Sequence, residues 1–260
     1  NTKSAIAANN EHYILSDNEL FKRAKQNADA EVAAGIEEFV ANVSHEIGTP
    51  LTTIKGYSEL LLDGAIDDKS VAMDFLKEIN VAADRMKLLR DDLLDLSRFD
   101  TRVNKFNKER TDLVEIARGC IRQNKVVAEG REQKIVFDDP LIPMYIYADV
   151  ARVNQVITNI ISNAMKYSDK GSVIKISMGA TRSVYMLSIS DNGIGIPEED
   201  LSRIFERFYR VDKARSRSMG GNGLGLSIAK EIMDAHSGSI DVVSQLGQGT
   251  TMVLKFPKVK

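Results

Sequence analysis

Ser44-His45-Glu46-Ile47-Gly48-Thr49-Pro50 lies inside an apolar run whose spacing decides the first part of the fold. Val40, Val43, Ile47, Pro50, Ile54, Tyr57 and Leu61 recur in alternating steps of three and four, the a/d seam of a helix packed on partner helices. With Val40 at a and Val43 at d, His45 falls at f, farthest from the seam. Thr49 shares its outward face and Glu46 is its neighbour. A core histidine would sit in the stripe. His45 is therefore read as exposed, either an ordinary solvated residue or a group offered to something outside the helix.

A second stripe follows, Ala72, Phe75, Ile79, Ala82, Met86, Leu89, Leu93 and Leu96, again in steps of three and four. Asp63-Gly64 and Asp67-Asp68 mark the turn between the two. Pro50 is expected to bend the first helix, because it removes a backbone donor and crowds the preceding turn. Two long helices with matching seams and a short connection make an antiparallel hairpin. One hairpin cannot bury both stripes, so a homodimer closed as a four-helix bundle is expected. Residues 1–35 are polar and Ala-rich and read as a helical lead-in; the hairpin is assigned to 36–104.

At 260 residues the chain has room for one large domain or two modest ones. Lys and Arg number 35 against 37 Asp and Glu, a formal charge of −2. No global basic field draws it to nucleic acid or an anionic membrane, so neither partner is expected. Its one cysteine, Cys120, forbids an intrachain disulfide and a multi-cysteine zinc site, and fits a reducing, cytoplasmic compartment. Beside Ile116 and Ile121 it reads as core filler. No run of roughly 18 apolar residues and no signal peptide occurs. The start at Asn1 rather than Met suggests a piece of something longer, with any sensor or membrane anchor upstream.

Beyond a break near Arg98–Lys108 the pattern turns to mixed α and β, assigned as a domain over 105–260. Helices are expected over Asp112–Ala128, Asp149–Tyr167 and Gly223–His236. Strands are expected over Ile135–Asp138, Met144–Ala148, Ser172–Ala180, Ser183–Asp191, Ser239–Ser244 and Thr250–Phe256. Strand pairs between helices imply a largely antiparallel sheet covered on one face by helices, an α/β sandwich.

Three polar elements of this domain can carry chemistry. On the second helix Asn159, Asn163 and Lys166 share one face. Neutral amide oxygens one turn apart suit Mg²⁺ shared with a substrate phosphate, and the lysine can reach that phosphate; the same face could equally be solvated. Asp191-Asn192-Gly193-Ile194-Gly195 ends an apolar strand, where a carboxylate can accept from an exocyclic amine and glycines admit a ring, or where the chain simply turns. Gly220-Gly221-Asn222-Gly223-Leu224-Gly225-Leu226 opens a helix, a place for phosphate oxygens or a plain hinge. It lacks the Gly-Lys-Ser/Thr ending of a P-loop and no dinucleotide-binding unit surrounds it. His236 reads as a helix C-terminal residue before the Ser237-Gly238 stop, favourable with the helix dipole, and is given no catalytic role.

Together and in this order, these motifs resemble the sensor histidine kinases of two-component signalling, the HisKA–HATPase type of the PhoR- and WalK-like group. The resemblance covers residues 36–260. Ser44–Pro50 is similar to the phosphoacceptor box, Asn159–Tyr167 to the asparagine box and Asp191–Gly195 to the first glycine box. Phe205–Arg210 is similar to the phenylalanine box of the ATP lid, and Gly221–Leu226 to the second glycine box. It implies an α+β multidomain fold: a helical hairpin forming a dimeric four-helix bundle, then a Bergerat-type ATP-binding sandwich. It implies a kinase that uses ATP and Mg²⁺ to phosphorylate His45 and passes the phosphoryl group to an aspartate of a response regulator receiver domain. Phosphatase activity toward that regulator is implied too. Glu46 would act as base or orient the imidazole, and Thr49 would hold a water. Asn163 would ligate the metal, with Asn159 assisting. Lys166, Tyr167 and Arg210 would contact phosphates or nucleotide, and Asp191 the adenine amine. Gly193, Gly195, Gly221, Gly223, Leu224 and Gly225 would shape the pocket, and Gly195–Gly221 would be a lid.

The chain departs from the family at two places. Gly48 stands where the family has Arg or Lys, and Asn222 where Thr is common. Two other readings compete. An ATPase of the chaperone and gyrase kind shares the sandwich but lacks a hairpin with an exposed His-Glu-x-x-Thr-Pro. A non-catalytic scaffold would keep the nucleotide site without the chemistry.

Overall fold

A computed structural model describes residues 17–100, 106–212 and 221–259, of which 17–24, 27–32 and 100 are described by backbone alone. The fold divides into two compact units, Asn1–Leu51 and Thr52–Lys260. The boundary falls inside the first helix, α1 (Asp17–Leu62), which runs through Pro50 and begins well before residue 36. His12, in the lead-in, lies outside the described residues.

In the first unit the seam residues Val40 (56 %) and Ile47 are exposed, as are Ile36 and Leu51. The seam pattern therefore marks a surface that this single chain leaves open. Ser44 and Thr49 direct their hydroxyls back to the carbonyls of Val40 (2.8 Å) and His45 (3.2 Å), the usual way a helix absorbs such side chains.

In the second unit α1 ends at a left-handed Gly64 (φ 110°) followed by one turn of 3₁₀ helix, Ala65–Asp67. Asp68 then caps α2 (Lys69–Asp100) by accepting from Ser70 N–H at 2.9 Å and Val71 N–H at 3.2 Å. Tyr57 and Phe75, with ring centroids 4.9 Å apart, tie the last turns of α1 to the first of α2, which makes the expected hairpin turn. Ala72, Ala82, Leu89 and Leu96 of the second stripe are buried, while Val71, Met73, Leu76, Val81 and Leu94 stand exposed on the same helix.

The remaining elements are β1 (Glu109–Asp112), α3 (Leu113–Gly130), β2 (Lys134–Asp138), β3 (Tyr145–Ala148), α4 (Val150–Lys166), β4 (Val173–Ala180), β5 (Val184–Ser190), α5 (Gly225–Ala235), β6 (Ser239–Gln245) and β7 (Gly249–Pro257). Five strands form one sheet in the order β2-β4-β5-β7-β6, and β1 pairs with β3 in a separate ribbon. The sheet is antiparallel except between β2 and β4, which run parallel because α4 crosses between them. Ile174, Ile176, Leu187, Ile189, Leu254 and Phe256 alternate onto one fully buried face, against which α3, α4 and α5 pack. β1 was not expected from sequence: Glu109-Arg110-Thr111-Asp112 has no apolar alternation, and its pairing partner supplies the signal instead. Among the described residues no helix is long and apolar enough to cross a membrane.

Candidate nucleotide site and phosphoacceptor face

α4 is held at its start by Asp149, whose carboxylate accepts from Arg152 N–H at 3.2 Å, and its apolar side (Val153, Val156, Ile157, Ile160, Ile161, Ala164) is buried. The polar side of α4, together with Ile160 and Ala164 at the edge of the apolar side, walls a cavity of about 270 Å³. Asn159, Asn163, Lys166, Tyr167, Asp191, Gly195, Arg210, Gly221, Gly223 and Gly225 all line it. The sequence-expected residues of three separate motifs thus converge on one space. Gly193 and the fully buried Leu224 lie behind the wall rather than in it.

Asp191 ends β5 with its carboxylate Oδ1 accepting from Gly193 N–H (2.9 Å) and Thr250 N–H (3.2 Å). Burial pushes its pKa above the ordinary carboxylate value, partly offset by those two hydrogen bonds. An acceptor fixed this way at a cavity floor can take one hydrogen bond from an exocyclic amine. Lys166 is pushed down to about 8, first by burial and then by the positive charge of Arg210, Arg85 and Arg131. An anion in the cavity would relieve both causes.

The glycines have packing reasons of their own. Gly195 (φ 67°) passes so close to Gln245 that a Cβ would meet its carbonyl oxygen at 2.0 Å, and at Gly223 (φ 72°) a Cβ would meet the Phe208 backbone at 2.7 Å. Phe208, itself at φ 64°, donates its N–H to the Gly223 carbonyl at 2.9 Å, so the phenylalanine box is bolted to the second glycine box. α5 starts at Gly225, two residues later than expected, and the Asn159 amide donates to the Gly225 carbonyl at 3.2 Å. Asn159 thereby spends its N–H on the helix start, leaving Asn163 as the more open amide.

The described part of the expected lid, Gly195–Asp212, is tied down. Ile196 N–H donates to Ser244 Oγ (2.9 Å), Tyr209 hydrogen-bonds Asp200, and Arg207 pairs with Glu231 (3.7 Å). Lys213, Arg215 and Arg217 lie outside the described residues.

Two residues were misread or missed. His236 is buried; its Nε2 accepts from Asp149 N–H (3.0 Å) and its Nδ1 lies 2.7 Å from the Ile232 carbonyl. It caps the C-terminus of α5, as expected from sequence, but burial pushes its pKa down, so a neutral ring bridging α5 to the start of α4 stands in place of a favourable dipole interaction. Asp92 of α2 lines the cavity, 9 % exposed, and accepts from the Asn222 amide at 2.9 Å. Burial, then Asp95 and Asp91, push its pKa up to about 7 against the Asn222 hydrogen bond. The signal in the sequence was Asp91-Asp92…Asp95, three acids on one turn beside an apolar seam. Asp95 itself accepts from Arg152 and Gln155 of α4, both at 2.8 Å.

His45, Glu46 and Thr49 belong to the first unit. His45 and Thr49 are exposed and Glu46 is half-buried, so the f-position reading holds. Among the described residues no group of three or more His, Cys, Asp or Glu could hold a metal ion. The donor set instead fits a cation bound through the Asn163 amide and the oxygens of a bound phosphate.

Two family descriptions match the chain. Residues 36–102 match the His Kinase A (phospho-acceptor) domain and residues 148–260 the Histidine kinase-, DNA gyrase B-, and HSP90-like ATPase. The sensor histidine kinase WalK of Bacillus subtilis is 43% identical over 222 residues, 85% of this chain and 36% of WalK. The chain thus spans about a third of the length of that relative. Among solved structures, ShkA in complex with AMPPNP superposes with a TM-score of 0.61 at 25% identity, covering 85% of this chain and 46% of ShkA. The histidine kinase ThkA in complex with the response regulator protein TrrA shares the fold, with a TM-score of 0.68 at 23% identity over 93% of this chain and 67% of ThkA.

Proposed function

The chain belongs to the sensor histidine kinases of two-component systems and carries their phospho-acceptor and ATP-binding domains, and from that premise we propose that it phosphorylates His45 from ATP and passes the phosphoryl group to an aspartate of a response regulator. The observation that carries the reading is the pairing of an exposed His45 on a phospho-acceptor helix with a cavity that gathers Asn163, Lys166, Asp191 and Arg210. Domains at 36–104 and 105–260, after a lead-in at 1–35, remain the division we favour.

In the proposed reaction Asp191 accepts from the adenine amine and sets the depth of the base. Lys166 and Arg210 neutralise phosphate charge, and Asn163 offers its amide oxygen to Mg²⁺. A cation held there would supply neutralisation of phosphate charge. His45 Nε2 attacks the γ-phosphorus; a P–N bond forms, the bond to the ADP oxygen breaks, and Glu46 takes the imidazole proton. Phosphoryl transfer asks mainly for alignment and charge balance, which these groups provide. Thr49, on the same face as His45, positions water for dephosphorylation of the regulator. The exposed Val40 and Ile47 of α1 and Met73 and Leu76 of α2 support a homodimer, since a hairpin that leaves such residues in water gains by burying them against a second copy.

Incubation with γ-labelled ATP and Mg²⁺ tests the reading. Acid-labile, base-stable label on the chain is expected. Free phosphate alone would mean an ATPase of the gyrase kind, and neither product would mean a scaffold.

A further inference from the structure

Leu88 and Asp92 are the α2 residues that line the nucleotide cavity. Asp92 reaches it as a carboxylate that is almost wholly enclosed and accepts from the Asn222 amide, 130 residues away. Asn222 lies between Gly221 and Gly223, in the stretch assigned above to the phosphates. A negative side chain from the phospho-acceptor hairpin therefore stands where a polyphosphate would arrive.

The charges around Asp92 do not cancel it. On its own helix Asp91 and Asp95 repel it, and the cations beside them are already engaged, Arg90 by Asp91 at 2.7 Å and Arg152 of α4 by Asp95 at 2.8 Å. From α4 the cavity receives Lys166, and from the lid Arg210 and the acidic Asp212. Arg85 of α2 and Arg131 act on Lys166. The second glycine box offers only the neutral Asn222. An incoming anion and an ionised Asp92 would thus share a poorly hydrated space, and like charges there disfavour one another strongly.

We propose that Asp92 is an electrostatic gate on the phosphate half of the pocket: with α2 in place, a nucleotide enters together with a proton taken up by the Asp92 carboxylate. The proton comes from bulk water onto a carboxylate oxygen, and the resulting acid can donate to a phosphate oxygen. No other bond changes. Burial and the neighbouring carboxylates push the Asp92 pKa up to about 7, which brings the uptake into the physiological range. Asn222, which replaces the common Thr, matters because its N–H₂ favours the charged form of Asp92 and so sets the pH at which the gate works. The proposal rests on the nucleotide-site reading above.

Calorimetric titration of the whole chain with Mg-ADP, a ligand that cannot be turned over, tests it. Runs at pH 6, 7 and 8 in two buffers of different ionisation enthalpy report affinity and protons together. Affinity of the parent is expected to fall about five- to tenfold more between pH 6 and 8 than that of Asp92→Asn, and at pH 7 the parent should take up about half a proton more. Asp92→Asn keeps an oxygen for the Asn222 amide, so the contact survives without the charge. Asn222→Ala keeps the charge and loses the contact, and should move the affinity decline to higher pH. Identical pH profiles and proton counts in the parent and Asp92→Asn overturn the gate, including by showing that α2 withdraws on binding. Absence of Mg-ADP binding in every variant strikes the nucleotide-site reading instead.

Discussion

His45 stands exposed on α1 among other exposed residues, Val40, Ile47 and Leu51, whereas Asp191, Lys166 and Asp92 share a walled cavity where burial displaces the pKa of each. On the proposed function, the difference follows from what each must meet. A phosphoacceptor must be approached by an ATP-bearing domain and then by a separate receiver domain, and walls would block both. A nucleotide is held by single hydrogen bonds and charges, which gain strength only when water is excluded. A helix surface is enough for the first task; the second requires three distant segments to converge.

The comparison breaks most sharply at His45. His45→Gln should abolish label from γ-labelled ATP while Mg-ADP affinity stays within about twofold, since surface changes away from a site seldom move it further. Residual acid-labile label would transfer the phosphoacceptor role elsewhere. At the other pole, Asp191→Asn replaces a buried acceptor by an amide whose N–H₂ faces donors. Mg-ADP affinity should drop about ten- to a hundredfold, the range for loss of a charged hydrogen bond. A drop in labelling without a drop in affinity would remove Asp191 from the adenine contact.

The two regions also differ in how far the sequence revealed them. The outward place of His45 and the shared face of Asn159, Asn163 and Lys166 follow from the helical period, which is local. The turn at Gly64 and the boundaries of α3, α4, β4 and β5 were likewise legible within a residue or two. The parallel β2–β4 pairing was not, because strand order depends on a crossover and not on either strand's composition. Asp92 was not singled out from the sequence, and the burial of His236 was not foreseen, for the same reason. Their partners, Asn222 and the Asp149 N–H, lie 130 and 87 residues away, and no window on the sequence contains both ends.

Lys166 sharpens the contrast through pH. Its pKa lies below the ordinary lysine value, near 8, so the cation is present below that pH and disappears as pH rises through it. Mg-ADP affinity should therefore fall about tenfold between pH 8 and 9.5 in the parent and stay level in Lys166→Arg, which keeps its charge. This window lies above the decline expected from Asp92, and the two variants remove different limbs of one curve. A parent curve flat above pH 8 would mean that Lys166 does not meet the phosphates.

Gly48 gives the smallest effect, and it lies on the open side of the comparison. It replaces a residue that is basic in the family, one turn past His45 and two before Pro50. A Cβ built there meets nothing within 4 Å, so Ala or Arg can be placed without a clash. Gly48→Ala restores about 1 kcal/mol of helix propensity where Pro50 has already removed a backbone hydrogen bond. Gly48→Arg adds the same stiffness and also a cation near the imidazole proposed to receive the phosphoryl group. Stiffening alone should alter labelling of His45, or dephosphorylation of the regulator, equally in both variants. A charge effect appears only in the difference between Arg and Ala, and should shrink in high salt because the site is exposed. We expect a several-fold change in one of the two rates with Mg-ADP affinity unmoved. If both variants match the parent in both rates, the glycine is neutral and the open face tolerates what the pocket would not.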